Sequence, residues 1–158
     1  LEERFAGYAI TGLDRSKPMI RTARQRAQGQ FLVGDARALP IRTGAFDAVV
    51  FVATLEFVPD VESTLAEAIR VLDSDGTFVG LVLNTKSEYV QSNLQRGGSY
   101  FQRMSHRDSD ALVERVCNYV DGTTEYFLGI DDDTVVERSD PATAAVTAVV
   151  GTPASDAQ

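Results

Sequence analysis

The run "FDAVVFVATL", residues 46–55, is almost entirely apolar and rich in β-branched side chains. Such a segment reads as a strand covered on both faces, the kind found at the centre of parallel sheets. Pro59 and Asp60 then open a helix, with Asp60 as N-cap, Glu62 near the positive end, and Val61, Leu65, Ile69 and Leu72 at helical spacing. "DSDG" ends that helix, with Gly76 expected in a turn conformation that other residues resist, and "TFVGLVL" follows as another buried strand. Strand, helix and strand in this order call for an α/β fold built on parallel pairing.

The preceding residues repeat the pattern. "LEERFAGY" reads as the last turns of a helix stopped at Gly7. "AITGLD" is a short strand ending in Asp14, and Ser16 caps a helix to about Ala27, with Met19, Ile20, Ala23 and Ala27 on one face. "FLVGDA", residues 31–36, is a second strand ending in an acid, Asp35, followed by the loop "RALPIRTGA". Beyond Asn84 the chain turns polar. Gly97 and Gly98 form a flexible joint there, and Tyr100, Phe101 and Met104 suit a lid or an edge helix over a cleft. A helix with Ala111, Leu112, Val116 and Val120 on one face follows, then two closing strands, "TTEYFLGI" and "AAVTAVVG", separated by "DDDTVVERSDP". The expected organisation is one domain over residues 1–151 and a disordered tail over 152–158, as suits a chain of 158 residues.

Charge narrows the partners. The formal net charge is -8, and Lys17 and Lys86 are the only lysines, so no basic stripe is available for nucleic acid. This acidic, lysine-poor composition resembles that of proteins from salt-loving microbes. No run of apolar residues is long enough for a membrane helix and the N-terminus lacks the pattern of a secretion signal, which makes the expected location cytoplasmic. Cys117 is the only cysteine and is expected to be a buried core thiol, so neither an intrachain disulfide nor a thiolate metal cluster is expected. Asp131, Asp132 and Asp133 lack the glycine and glutamate of a calcium loop and read as a solvated turn. No metal site is expected.

"GLDRSKPMI", "VGDARALPIRTGAFDAVVFVATLEFVPD" and "LAEAIRVLDSDGTFVGLV" together resemble, in order and spacing, the class I S-adenosylmethionine-dependent methyltransferases, over roughly residues 2–84. The resemblance implies a Rossmann-like, mostly parallel sheet with flanking helices and partly antiparallel C-terminal strands. It implies S-adenosylmethionine as cofactor. Asp14 matches the acid that accepts hydrogen bonds from the ribose hydroxyls, and Asp35, with the backbone of Ala36, matches the adenine site. Val52 and Ala53 match the place where main-chain groups meet the methionine portion. Glu56 sits where relatives carry a polar residue facing the substrate, and Tyr100 and His106, the only histidine, are further candidate substrate contacts from the lid. No catalytic residue is singled out.

One departure matters. The family's glycine-rich loop and the strand before it have no match, and the order of the surviving pieces would place them just upstream of Leu1. The expectation is therefore a sheet missing its first central strand, between the strands of Asp14 and of residues 46–52, in a fragment or incomplete form of a small-molecule methyltransferase. The alternative is a non-catalytic relative, or a subunit whose site is completed by oligomerisation or by a partner chain. A nicotinamide-dependent dehydrogenase shares the ribose-binding acid, but "GDARALP" followed by "FDAVV" argues against it.

Overall fold

The computed structural model of the chain describes residues 7–97, 100–131, 134–136 and 140–155. The first unit is a parallel pair. Strands β1 (Thr11–Asp14) and β2 (Gln30–Val33) run in register from Thr11 opposite Gln30 to Asp14 opposite Val33, and α1 (Lys17–Arg26) connects them. Helix α1 starts where its sequence dictates: Ser16 accepts from the Met19 amide at 3.4 Å and Pro18 lies in the first turn, where its missing N–H costs nothing. Arg24 and Arg26 sit at its negative end. Of the expected apolar stripe, Ile20 is buried, but Met19 is 58% exposed. A helix over a sheet only two strands wide has little apolar surface to meet. Gly7 has a φ of +102°, the left-handed conformation expected of a helix stop, while the helix read over residues 1–6 lies outside the described residues.

The second unit is a five-stranded sheet in the order β3, β4, β7, β5, β6. Strands β3 (Phe46–Val52) and β4 (Leu72–Leu83) are parallel; β7 (Ala144–Pro153), β5 (Val120–Asp131) and β6 (Thr134–Val136) extend the sheet in antiparallel pairing. Helix α2 (Val61–Val71) crosses between β3 and β4, capped by Asp60, whose carboxylate accepts from the Ser63 amide at 3.0 Å. Its predicted face forms the core: Val61, Leu65, Ile69 and Leu72, joined by Ala68, pack with Phe78, Val82, Leu112, Val116 and Val149.

Gly76 corrects its expected role. It takes no left-handed turn; β4 begins directly at Leu72, and the register against β3 slips between Phe46 and Ala48 to absorb the extra residues. Gly76 is needed for space, since a Cβ there would come within 2.6 Å of the Leu72 side chain and 2.9 Å of the Asp73 carbonyl.

Strand β3 has the composition of a central strand and lies beside the expected gap. Val49 and Phe51 pack on the core, with the rings of Phe51 and Phe78 5.7 Å apart, but Val50 and Val52 are 58% and 61% exposed. Among the described residues β3 pairs only with β4, and β1 only with β2, so no strand joins the two sheets. An apolar strand built for the interior thus forms an edge.

The C-terminal half supplies a cover. Helix α3 (Glu88–Gln95) is capped by Ser87, and α4 (Ser109–Cys117) by Asp108, whose carboxylate accepts two backbone amides. Leu112 and Val116 face the core, which turns Cys117 outward; it is exposed, not buried. The segment "TVV", read as part of a connection, forms the edge strand β6, because it can pair with Gly129–Asp131. Of the acidic triplet, Asp132 and Asp133 lie outside the described residues. Strand β7 runs on through Thr152 and Pro153, opposite Asp121 and Val120, and residues 156–158 lie outside the described residues. No described helix is long and apolar enough to cross a membrane.

Candidate functional site

In open α/β sheets ligands gather beyond the carboxyl ends of parallel strands. Here those ends carry Asp14 on β1, Asp35 just past β2 and Ala53 just past β3. Asp14 is exposed, and its Oδ1 accepts from the Ser16 amide at 2.8 Å. That bond orients the carboxylate and leaves Oδ2 available, so Asp14 can accept from a vicinal pair of hydroxyls. Asp35 is differently held. Arg37 reaches both of its oxygens through Nε and Nη2, the latter at 2.7 Å, and adds its backbone amide at 3.0 Å. The guanidinium holds the Asp35 carboxyl well below the usual carboxylate range. Asp35 is therefore a committed anion whose lone pairs are shared with Arg37, and Ala36 beside it is half-buried. The loop beyond is tied to α2: Glu67 accepts from the Leu39 amide at 2.6 Å, and Arg70 donates to the carbonyls of Ile41 and Leu39.

The turn after β3 presents main-chain acceptors. Ala53 has a φ of +42°, a conformation that costs a residue with a Cβ roughly 1–2 kcal/mol. Its amide donates to Leu81 at 2.9 Å, which keeps the turn on β4, and its carbonyl points to Tyr100, whose hydroxyl donates to it at 3.1 Å. The Val52 carbonyl is met likewise by the Thr54 hydroxyl at 2.9 Å. Both oxygens are held by hydroxyls that a ligand's donors can replace.

Glu56 is 1% exposed, in the short 3-10 turn Leu55–Phe57. Its Oε1 accepts from the Leu83 amide at the end of β4, and its main-chain carbonyl accepts from Ser105 at 2.8 Å and His106 at 3.1 Å. Glu56 thereby joins the turn after β3, the end of β4 and the cover segment. Its Oε2 is buried with no hydrogen-bond partner. Burial raises its pKa, opposed in part by the Leu83 amide and by its own backbone amide. Tyr100, pushed up by burial and by the nearby Glu56 carboxyl, lies in the cover: its ring is 4.6 Å from Phe57 and meets Phe101 edge-on at 5.6 Å. Met104 and Phe101 anchor the cover in a second apolar cluster with Leu83, Val90 and Val146. His106 is brought beside Glu56 through its backbone, while its ring nitrogen Nε2 lies 2.9 Å from the Val58 carbonyl.

Of the residues singled out in the sequence, Ala53, Glu56, Tyr100 and His106 form one connected group, while Asp14 and Asp35 stand on the separate two-stranded sheet. Phe57 and Arg37 were not anticipated. Phe57 follows Glu56 directly, and an aromatic there was the available signal; the Arg37 pairing depends on backbone geometry that spacing does not reveal.

Comparison with known proteins adds an independent finding. A family model described as "Methyltransferase domain" matches residues 1–80. The chain is 40% identical over 86 residues to a demethylmenaquinone methyltransferase of Thermus thermophilus, covering 51% of this chain and 39% of that protein. It is 34% identical over 126 residues to a ubiquinone/menaquinone biosynthesis C-methyltransferase of Desulfotalea psychrophila, covering 75% of this chain and 49% of that protein. The chain spans less than half the length of these curated relatives. Among solved structures, a SAM-dependent methyltransferase of Thermotoga maritima, described as a possible histamine N-methyltransferase, superposes with a TM-score of 0.75 at 21% identity, covering 90% of this chain and 72% of that one. A Haloferax volcanii putative methyltransferase, solved in complex with the Trm112 methyltransferase activator, superposes with a TM-score of 0.68 at 24% identity, covering 90% of this chain and 70% of that one.

Proposed function

Because the chain belongs to the class I S-adenosylmethionine-dependent methyltransferases, we propose that it carries the cofactor and acceptor sites of a cytoplasmic enzyme that methylates a small molecule. The cofactor supplies a methyl group already activated on a sulfonium, so the protein has mainly to align the partners and exclude water. Asp14 would accept from the ribose hydroxyls through the oxygen that Ser16 leaves open. Asp35 and Ala36 would meet the adenine, with Arg37 fixing the Asp35 carboxylate. Val52 and Ala53 would offer their carbonyls to the methionine portion once Thr54 and Tyr100 yield them. Glu56, Tyr100 and His106 would line the acceptor side.

The observation that carries this reading is the buried, unpartnered Oε2 of Glu56 next to the Ala53 turn, a polar group that folding alone leaves unsatisfied. Calorimetric titration of S-adenosylhomocysteine tests the cofactor site. Saturable binding that Asp14→Ala weakens by about tenfold supports it, matching the loss of one charge-assisted contact; a folded chain that binds nothing removes it.

A second reading has its own support. The unpaired edges of β1 and β3, with Val50 and Val52 exposed, favour a subunit whose sheet a partner chain or a second copy completes. The similarity to a methyltransferase solved with an activator protein is in keeping with it. Sedimentation of the purified chain separates the two: a monomer that binds the cofactor rules out the need for a partner.

A further inference from the structure

The unpartnered oxygen of Glu56 and the aromatic rings of the cover call for the same kind of visitor. Oε2 of Glu56 is buried without a partner, and among the described residues no arginine, lysine or histidine side chain pairs with the carboxyl. The Ala53 carbonyl is a second acceptor, held among the described residues by the Tyr100 hydroxyl alone. Tyr100, whose hydroxyl meets that carbonyl, belongs to a cluster of three aromatic rings, 4.6 Å from Phe57 and edge-on to Phe101 at 5.6 Å. A carboxyl and a carbonyl both accept hydrogen bonds, and aromatic faces attract cations. Among the described residues no side-chain donor meets Oε2.

We propose that Glu56, the Ala53 carbonyl and the rings of Phe57 and Tyr100 form a recognition site for a protonated amine on the methyl acceptor. The inference rests on the reading of this cleft as the acceptor side of a methyltransferase, and it concerns how the acceptor is held. The amine would sit against Oε2, where the charge pair is stronger for being shielded from water. Tyr100 is 51% exposed and its hydroxyl's one described bond is to Ala53, so the ring can turn toward solvent and free the Ala53 carbonyl for the amine's second N–H. A neutral alcohol of the same shape can donate only one such bond and brings no charge.

The Leu83 amide, which donates to Oε1 of Glu56, is the natural reporter. Titrating benzylamine and then benzyl alcohol into the full chain at neutral pH, with backbone amides followed by NMR, reads occupancy directly. Benzylamine is expected to shift the Leu83, Ser105 and His106 amides saturably, with benzyl alcohol and the Glu56→Gln chain each weaker by about tenfold, as for the loss of a charge-assisted bond. Tyr100→Leu, at an exposed position, is expected to weaken benzylamine severalfold by removing the ring. Absence of a saturable shift at Leu83, equal binding of amine and alcohol, or unchanged affinity in Glu56→Gln overturns the proposal and leaves Glu56 as a structural tie. Should Glu56→Gln lose its native amide dispersion, the amine-to-alcohol ratio in the unsubstituted chain decides alone. No cofactor is present in this titration, so its failure is separate from a failure to bind S-adenosylhomocysteine.

Discussion

The Tyr100 hydroxyl donates to the Ala53 carbonyl at 3.1 Å, across 47 residues of sequence, and so fastens the cover to the turn after β3. The bond is neutral and lies at the surface, which puts its worth at the low end of the hydrogen-bond range. Tyr100→Phe keeps the ring against Phe57 and should cost about 0.5 kcal/mol in chemical denaturation. Tyr100→Ala loses the ring contacts as well and should cost about 1 kcal/mol more.

Ala53 holds a left-handed conformation that glycine adopts freely. Ala53→Gly should therefore stabilise the chain by about 0.5 kcal/mol, the relief of strain exceeding the added backbone entropy of the unfolded state. A melting temperature that falls on this substitution would contradict the backbone geometry assigned to the turn.

Glu56 sets a pH dependence whose sign follows from its burial. Its pKa is raised above the ordinary 4.5, so the folded state binds the proton more tightly than the unfolded state does. The stability this contributes is fully present below pH 4.5 and is lost as pH rises through the folded-state pKa. Glu56→Gln abolishes that loss. Denaturation midpoints of the two chains, measured from pH 4 upward, should drift apart in favour of glutamine as pH rises; parallel curves would show that the carboxyl does not titrate on folding.

Gly122 and Gly151 face each other across β5 and β7. A Cβ on Gly151 would come within 2.2 Å of the Asp121 carbonyl and 2.7 Å of the Gly122 Cα, and no side-chain rotation relieves a backbone clash. Gly151→Ala should cost about 2 kcal/mol or more and weaken hydrogen-exchange protection along both strands.

Much of this was legible in the chain because it depends on near neighbours. The caps Ser16 and Asp60, the buried face of α2 and the acids at the ends of β1 and β2 follow from spacing alone. The gap beside β3 was legible too: with the expected central strand missing, β3 pairs, among the described residues, with β4 alone, and Val50 and Val52 are exposed. The failures concern distant partners. Gly76 was read through its conformation when its need is room beside Leu72. The apolar neighbours of Cys117 suggest burial, but the turn of α4 set by Leu112 and Val116 points it outward. At the site, the identity of Glu56 was visible, but its burial and free oxygen depend on Leu83 and the cover segment, brought to it by the fold.

Strand ends at Asp14, Asp35 and Ala53 that hold one ligand, S-adenosylmethionine, must respond to it together. The most direct test is amide-resolved NMR of the chain during titration with S-adenosylhomocysteine. Saturable shifts are expected at Ser16, Ala36 and Ala53 with a common midpoint, lost together in Asp14→Ala. Shifts confined to one of the two sheets, or none in a folded chain, would contradict it.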